Sequence, residues 1–476
     1  MRFPALLAAV GIVERKQGEE AFDLAVPVMV TGGLRVLIRV TDFVFVGLAA
    51  GAVGIAALEF GFQYYFVAFG LSLALTSGTI SVVSRFVGAD DSPSANLAVD
   101  VSLWLSLAVA VPLSVVAWRY ADPLVALLAN DARTAALGAD YLRVVMLSAA
   151  PRFWSMAAAR ALAGAGDTRT PMYIRLVTLP TNVVLNAVLV FGLGPFAAMG
   201  VVGAAWGTTV ANSLAATVFL AVLVSGRRPV RLRVPPRFDP GIAVEVVRVG
   251  APLAGTRLAR TFGRFPFLFV LGVLGTGEVA AYAVGRRVIL FAMMPAWGYA
   301  TASSTLVGQA IGGGDDRSAA DYGWQVARLA LATQLLVAGV LALSAPLVAR
   351  GFGTDNVAAT ARFIRVFALG VAGFALSRTM RGALRGAGDT RWPFYGTIAA
   401  TYLVRLPVTV LALPVGYALT LGPVTVAPGL GWGLPAVYAA ILLDLYLKAG
   451  VNTARFASGR WRAVARSSKV GTTADD

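Results

Sequence analysis

The sequence predicts an all-α membrane protein: twelve transmembrane helices in two six-helix bundles, related by pseudo-two-fold symmetry about an axis along the membrane normal. Three observations carry this. The 476 residues are 58% hydrophobic and only 13% charged, with a mean hydropathy of +0.75, a balance foreign to soluble domains of this length. The apolar residues gather into runs near or above the ~20 residues a helix needs to cross a bilayer. Lipid admits only helices and closed barrels as spanning structures, and the period-two alternation of barrel strands is absent. Finally, RALAGAGDTRTP from Arg160 to Pro171 returns as RGALRGAGDTRWP from Arg381 to Pro393, with Asp167 and Asp389 222 positions apart. GAGDTR is letter-identical in the two copies, and a proline opens the apolar run after each, where helices accept it. Gly-Ala-Gly predicts a tight path between two helices, Asp a cap for the second, and Arg a positive charge at the membrane face.

In chain order, Met1 to Val13 is a short apolar stretch followed by ERKQGEE, without a small-residue cleavage site; residues 1–20 are expected to form a cytoplasmic lead. Spans are expected near 22–47, 59–86, 97–118, 136–158, 171–192, 200–225, 246–271, 279–309, 324–347, 362–383, 393–419 and 431–455. With the N-terminus inside, the even-numbered connectors and the tail are cytoplasmic. These hold RRPVRLR, both GDTR copies and GRWRAVAR, as the positive-inside rule requires, while outer connectors such as GLGPFAAMG are mostly uncharged. The polar, proline-rich stretch from Ser225 to Asp239 joins six spans to six. The expected organisation is an N-lobe (21–225), a cytoplasmic linker (226–245), a C-lobe (246–456) and a cytoplasmic tail (457–476), multi-pass in the plasma or inner membrane. Six spans per half make the halves parallel, with a site near mid-membrane between or within them, which points to a secondary transporter.

Composition excludes several chemistries. The net charge of +16 would suggest nucleic acid in a soluble protein, but here the excess arginine sits at the ends of apolar runs, so no nucleic-acid partner is expected. The absence of Cys and His removes thiolates, the usual general base and the commonest transition-metal ligand. No GxxxxGK[ST] loop is present to cradle ATP. No cofactor is expected beyond a coupling ion.

A carboxylate within a span is costly and is a functional hypothesis by default. Asp42, in VLIRVTDFVFVGL, qualifies. Arg39, three residues earlier on the same helix face, leaves two readings open: a self-satisfied ion pair or a working acid. Asn182 and Asn186, in PTNVVLNAVLVFG, lie four apart on one face, either as interhelical glue or as part of a site. Thr208, in GAAWGTTVA, is a weaker candidate. Asp444 is expected to pair with Lys448 one turn later, and Asp23 and Glu59 fall near span ends.

LAVPVMVTGG, VTDFVFVGLAAGAVGIAAL, LAGAGDTRTPM, NVVLNAVLVFG, MMPAWGYATASSTLVGQAIGGGD and ARFASGRW together, in this order across two halves, resemble the multidrug and toxic compound extrusion family over nearly the whole chain. The resemblance implies a monomeric antiporter that exports organic cations, drugs or other amphipathic compounds in exchange for H⁺ or Na⁺ by alternating access. It implies that Asp42 binds the coupling cation, with Asn182, Asn186 and Thr208 completing the shell and no catalytic residues. If the ion is Na⁺, Asp42, Asn182 and Asn186 are its ligands. Asn186 stands where some archaeal relatives have Asp. The acids that another branch carries in helices 7 and 10 have no counterpart, and Ile289 stands where many relatives have Glu. Arg35 and Arg39 beside Asp42 are less usual. A membrane enzyme is disfavoured because no second acid, Ser–Lys pair or metal cluster accompanies Asp42. The closer alternative is a lipid-linked saccharide flippase of the same two-bundle plan, whose phosphate headgroup Arg35, Arg39, Arg260 and Arg264 would suit as modulators or anion contacts.

Overall fold

The computed structural model describes residues 3–129, 131–352, 356–421 and 424–467, with the side chains at 39, 40, 52, 74, 75, 420, 421 and 424 outside that description. The chain is helical almost throughout. Eight helices among the described residues are individually long and apolar enough to cross a membrane: α1 (Arg15–Gly51), α2 (Val53–Gly88), α3 (Ser92–Arg119), α5 (Arg169–Phe191), α6 (Gly200–Val224), α9 (Asp316–Gly351), α10 (Val357–Gly386) and α12 (Gly433–Ala457). The other four expected spans are present in pieces. They are α4 (Ala132–Leu147 and Ala149–Gly164), α7 (Pro240–Phe262 and Arg264–Leu274), α8 (Thr276–Ala292 and Met294–Gly312) and α11 (Arg391–Ile398, a π-helical Ala399–Arg405 and Leu406–Val410).

The breaks share one cause. Pro151, Pro266, Pro295 and Pro407 have no N–H for the carbonyl four residues earlier, and the interruptions fall at Ser148, Gly263, Met293 and the π-helical turn just before each. At Met293 the two pieces of α8 diverge by 44°. Between α1 and α2 a single residue, Gly51, turns the chain at φ 60°, ψ −154°, a backbone conformation that needs glycine. The expected second span therefore begins at Val53 and not near 59.

The duplicated connector folds the same way twice. Gly166 and Gly388 take φ of 88° and 80°, and the bonds Asp167 N to Leu162 O and Asp389 N to Leu384 O are both 2.8 Å. This is a left-handed glycine ending a helix, with the following amide reaching back to its last turn. The Asp side chains then differ. Asp167 Oδ1 accepts from Thr170 N at 2.9 Å and Oδ2 from the Thr170 hydroxyl at 2.6 Å, the expected cap. In the second copy Trp392 replaces that threonine, and Asp389 instead accepts from Arg455 Nε at 2.6 Å.

One expected boundary moves. The span expected to run to residue 419 stops at Val410, where the chain turns through Pro414 and Gly416 into a two-stranded hairpin, β1 (Leu419–Leu421) and β2 (Val424–Val426), antiparallel with Leu419 opposite Val426. The stretch is apolar enough to extend a span, but proline, glycine and β-branched residues favour strand and turn over helix.

Contacts divide the chain into two compact units: Pro27–Ala254 with Gly308–Gly314, and the segment to Val26 with Gly255–Val307 and Asp315 onward. The first unit is built around a cluster including Val46, Leu142, Phe153 and Val201 and a second including Val99, Ala161 and Phe219. The other unit centres on an aromatic group in which Tyr282 meets Phe363 edge-on at 5.8 Å and Phe363 meets Tyr438 at 5.0 Å. The linker is pinned to α3: Arg231 N donates to Asn96 Oδ1 at 2.8 Å, and Arg233 N and Arg237 N to the two oxygens of fully buried Asp100 at 3.2 and 3.1 Å.

At the end of α2, Arg85 pairs with Glu245 at 3.0 Å, the side chains 1% and 12% exposed. Removing Arg85 leaves Glu245 with only the longer contact to half-exposed Arg248 at 3.8 Å, so Arg85→Ala should lower unfolding free energy by up to about 3–5 kcal/mol. Arg85→Met combined with Glu245→Met should recover most of it. Denaturant unfolding in mixed micelles reads both, and an Arg85→Ala protein as stable as the parent would contradict the assignment.

Candidate functional site

Four predicted polar residues from three helices come together in the first unit. Asn186 Nδ2 on α5 donates to Asp42 Oδ1 on α1 at 2.6 Å. One turn earlier, Asn182 Nδ2 donates to Thr208 Oγ1 on α6 at 3.4 Å. Asn182 and Asn186 share a face of α5 because helical positions four apart stack. Their burial, 7% and 0% exposed, requires that their polar atoms be met inside the protein.

The approach of α6 to this face depends on glycine. In the stretch GAAWG from Gly203 to Gly207, a Cβ built on Gly207 would stand 2.0 Å from Asn186 Oδ1 and 2.9 Å from its backbone N, and one on Gly203 would stand 2.5 Å from Leu189 O. Small residues four apart let two helices close backbone to side chain. Gly207 thus sets where the Asn186 amide can lie, and it was not legible as a site residue. The repeated small residue beside Thr208 was the available signal.

Chemically the cluster is a set of hard oxygens around a single carboxylate. Asn186 spends its amide N–H on Asp42, while its Oδ1 is buried and accepts no hydrogen bond among the described residues. A bare amide oxygen beside a carboxylate suits a proton or a small hard cation, with Thr208 Oγ1 and the Asn182 carbonyl as further donors. No group of three or more His, Cys, Asp or Glu occurs among the described residues, and an oxygen set with one carboxylate is a poor match for a transition metal.

The remaining predicted residues are distributed elsewhere. Arg35 lies on α1 within electrostatic reach of buried Arg175, while the Arg39 side chain, and with it the choice between an Arg39–Asp42 pair and a working acid, lies outside the described residues. Arg260 and Arg264 belong to the second unit, where Arg260 Nε donates to Thr256 O at 3.3 Å. Lys448 and Asp444 form the expected pair at 2.6 Å, joined by Thr401 Oγ1 at 3.2 Å. Asp100, buried in the apolar run of α3, is a structural acid and not part of this cluster. Its partners are backbone amides of the linker more than 130 residues away.

Two internally similar sets of membrane-crossing helices, with a carboxylate held by a side-chain amide in one of them, are the build of a membrane carrier for small solutes and not of an enzyme. The MatE family pattern matches residues 27–188 and 252–411, one match in each half. The chain belongs to the MATE family of transporters. It is 28% identical over 465 residues, 95% of each chain, to the probable multidrug resistance protein NorM of Thermotoga maritima. Its fold is similar to a crystal structure of MATE in the straight conformation, with a TM-score of 0.83 at 21% identity over 95% of this chain and 97% of that one. It is also similar to a transporter of the MOP superfamily from Pyrococcus furiosus, for which reverse polarity of the binding pocket is said to suggest a different function; there the TM-score is 0.81 at 21% identity over 95% and 97% of the two chains.

Because a Cβ at 207 would displace Asn186, Gly207→Ala should destabilise the protein by about 1–3 kcal/mol. The same change in an Asn186→Ala background should cost measurably less, since contacting residues couple. Equal costs in the two backgrounds, read by denaturant unfolding, would show that Gly207 does not act through Asn186.

Proposed function

We propose that this protein is a secondary antiporter that exports small amphipathic organic cations, including drugs, in exchange for H⁺ or Na⁺ by alternating access, with Asp42 as the coupling residue. The observation that carries this reading is the 2.6 Å bond from Asn186 to Asp42 beside the Asn186 carbonyl oxygen, which accepts no hydrogen bond among the described residues. A half-buried carboxylate oriented by an amide donor keeps acceptor capacity for a proton or, with the amide oxygen, for Na⁺. A substrate cation competes for the same charge, so a single site enforces exchange: the ion is bound when the substrate is not. Asp42, Asn182 and Asn186 would be the ligands of Na⁺, with Thr208 at the edge of the shell. Multidrug resistance, in the name of the Thermotoga maritima relative, agrees with this substrate class.

The setting follows the charge pattern. Arginine-rich connectors and tail support a reading in which both termini are cytoplasmic and the chain crosses the plasma or inner membrane repeatedly. The site lies within one unit of one chain, so a monomer suffices. Neither a cofactor nor nucleic acid enters the reading.

Proteoliposomes loaded with ethidium and given an imposed H⁺ or Na⁺ gradient test it. Asp42→Asn keeps the size of the side chain but removes the charge, so gradient-driven transport should fall to the protein-free leak with insertion and folding intact. Asn186→Asp should shift the dependence toward Na⁺ by adding a charged oxygen. Full transport by the Asp42→Asn protein would place coupling elsewhere.

A further inference from the structure

The second unit gathers positive charge. Arg378, Arg381 and Arg385 project from α10 at spacings of three and four, and Arg257 and Arg260 from α7 three apart, so each set shares a helix face. The two sets feel one another: Arg378 and Arg381 each lie in the fields of Arg257, Arg260 and Arg385. Arg385 is anchored, donating from Nε to Ser304 Oγ at 3.1 Å and from Nη2 to Ala300 O at 3.1 Å. Gly382, one position after Arg381, lets α10 lie directly on the same stretch of α8, since a Cβ there would stand 2.4 Å from Ala300 O.

Two carboxylates of this unit are engaged by other cations. Asp389 takes Arg455 at 2.6 Å, and Asp444, the acid whose field reaches Arg260, takes Lys448 at 2.6 Å. No ion pair among the described residues includes Arg378 or Arg381. The Arg378 guanidinium lies 5.8 Å from the Trp297 ring centre and 5.2 Å from that of Phe374, and its Nε is buried with no hydrogen-bond partner among the described residues. Stacking on aromatic faces satisfies the plane of a guanidinium but leaves its in-plane donors unmet.

We propose that Arg378 and Arg381, supported by Arg385 and by Arg257 and Arg260 of α7, form a site for the phosphate group of an amphipathic molecule, with Trp297 and Phe374 against its apolar part. Guanidiniums fork onto phosphate oxygens with two parallel bonds, and a doubly charged group with several acceptor oxygens answers two guanidiniums, Arg378 and Arg381, that form no ion pair among the described residues. Held together in a low dielectric, like charges repel strongly, and an anion among them reverses the sign of that interaction. The site lies in the other unit from Asp42 and stands whether or not Asp42 couples transport.

The test is saturable binding by the full-length protein purified in neutral detergent, followed by the shift of thermal unfolding on adding dodecyl phosphate, inorganic phosphate or dodecyltrimethylammonium. Dodecyl phosphate should raise the midpoint saturably and dodecyltrimethylammonium should not. Arg378→Gln and Arg381→Gln should each weaken the dodecyl phosphate response at least about tenfold, as loss of one buried charged donor does. Asp42→Asn should leave the response unchanged. A parallel response to inorganic phosphate would assign the site to the free anion, and none would assign it to the amphiphile; either supports a phosphate site. Should a Gln variant fail to fold, Arg378→Lys keeps the charge but loses the fork, and it should bind more weakly than the parent. A response to dodecyl phosphate that is absent, matched by dodecyltrimethylammonium, or unchanged in the arginine variants would overturn the proposal.

Discussion

A charge taken into the interior of a membrane bundle must find a partner there, because lipid supplies none and the cost of leaving it alone is several kcal/mol. That constraint orders the polar anatomy of this protein. Arg85 meets Glu245, Lys448 meets Asp444, and Arg455 meets Asp389. Asp100 is met by two linker amides, and Arg405 lies 4.1 Å from the ring centre of Phe267. Asp42 accepts from the side-chain amide of Asn186, whose own oxygen accepts no hydrogen bond among the described residues.

The same constraint applies to the backbone. Four spans are broken, and each break lies just ahead of a proline that cannot donate to the carbonyl four residues before it. Prolines at 27, 112, 180 and 346 sit inside helices that continue through them, so proline permits a break without imposing one. Just past Pro27 the Thr31 hydroxyl bonds back to the Pro27 carbonyl at 2.8 Å, a bond within the following turn that leaves the helix continuous. The broken elements α4, α7, α8 and α11 are therefore places where helix direction is set by side-chain packing more than by the hydrogen-bond ladder.

Much of this was legible in the sequence, for physical reasons. Hydrophobic length gives the spans because the bilayer has a fixed thickness, and the GAGDTR duplication gives the two halves because identical backbone turns need identical glycines. Asp42, Asn182, Asn186 and Thr208 were readable because polar groups in apolar runs are conspicuous, and helical spacing placed the two asparagines on one face. The pairing of Asn186 with Asp42 was not readable, since it depends on how closely α6 lets α5 approach, which Gly207 decides through empty volume and not through chemistry of its own. Asp100 and the divergent roles of Asp167 and Asp389 were hidden likewise: the first depends on contacts across more than 130 residues, the second on a Thr-to-Trp difference three positions downstream. The end of α11 was misplaced because hydropathy measures transfer to lipid and is blind to the turn formed by Pro414 and Gly416.

Central to the proposed mechanism is that one carboxylate serves both the coupling ion and the substrate. Proton release on substrate binding measures this most directly, using purified protein in a lightly buffered, sodium-free solution near neutral pH and tetraphenylphosphonium as the substrate cation. If Asp42 is shared, each bound cation should expel about one proton, and the Asp42→Asn protein should release none, as linkage at a common site requires. Substrate binding at full stoichiometry with no proton release from the parent protein in sodium-free solution, and with no competition from added Na⁺, would contradict a shared site.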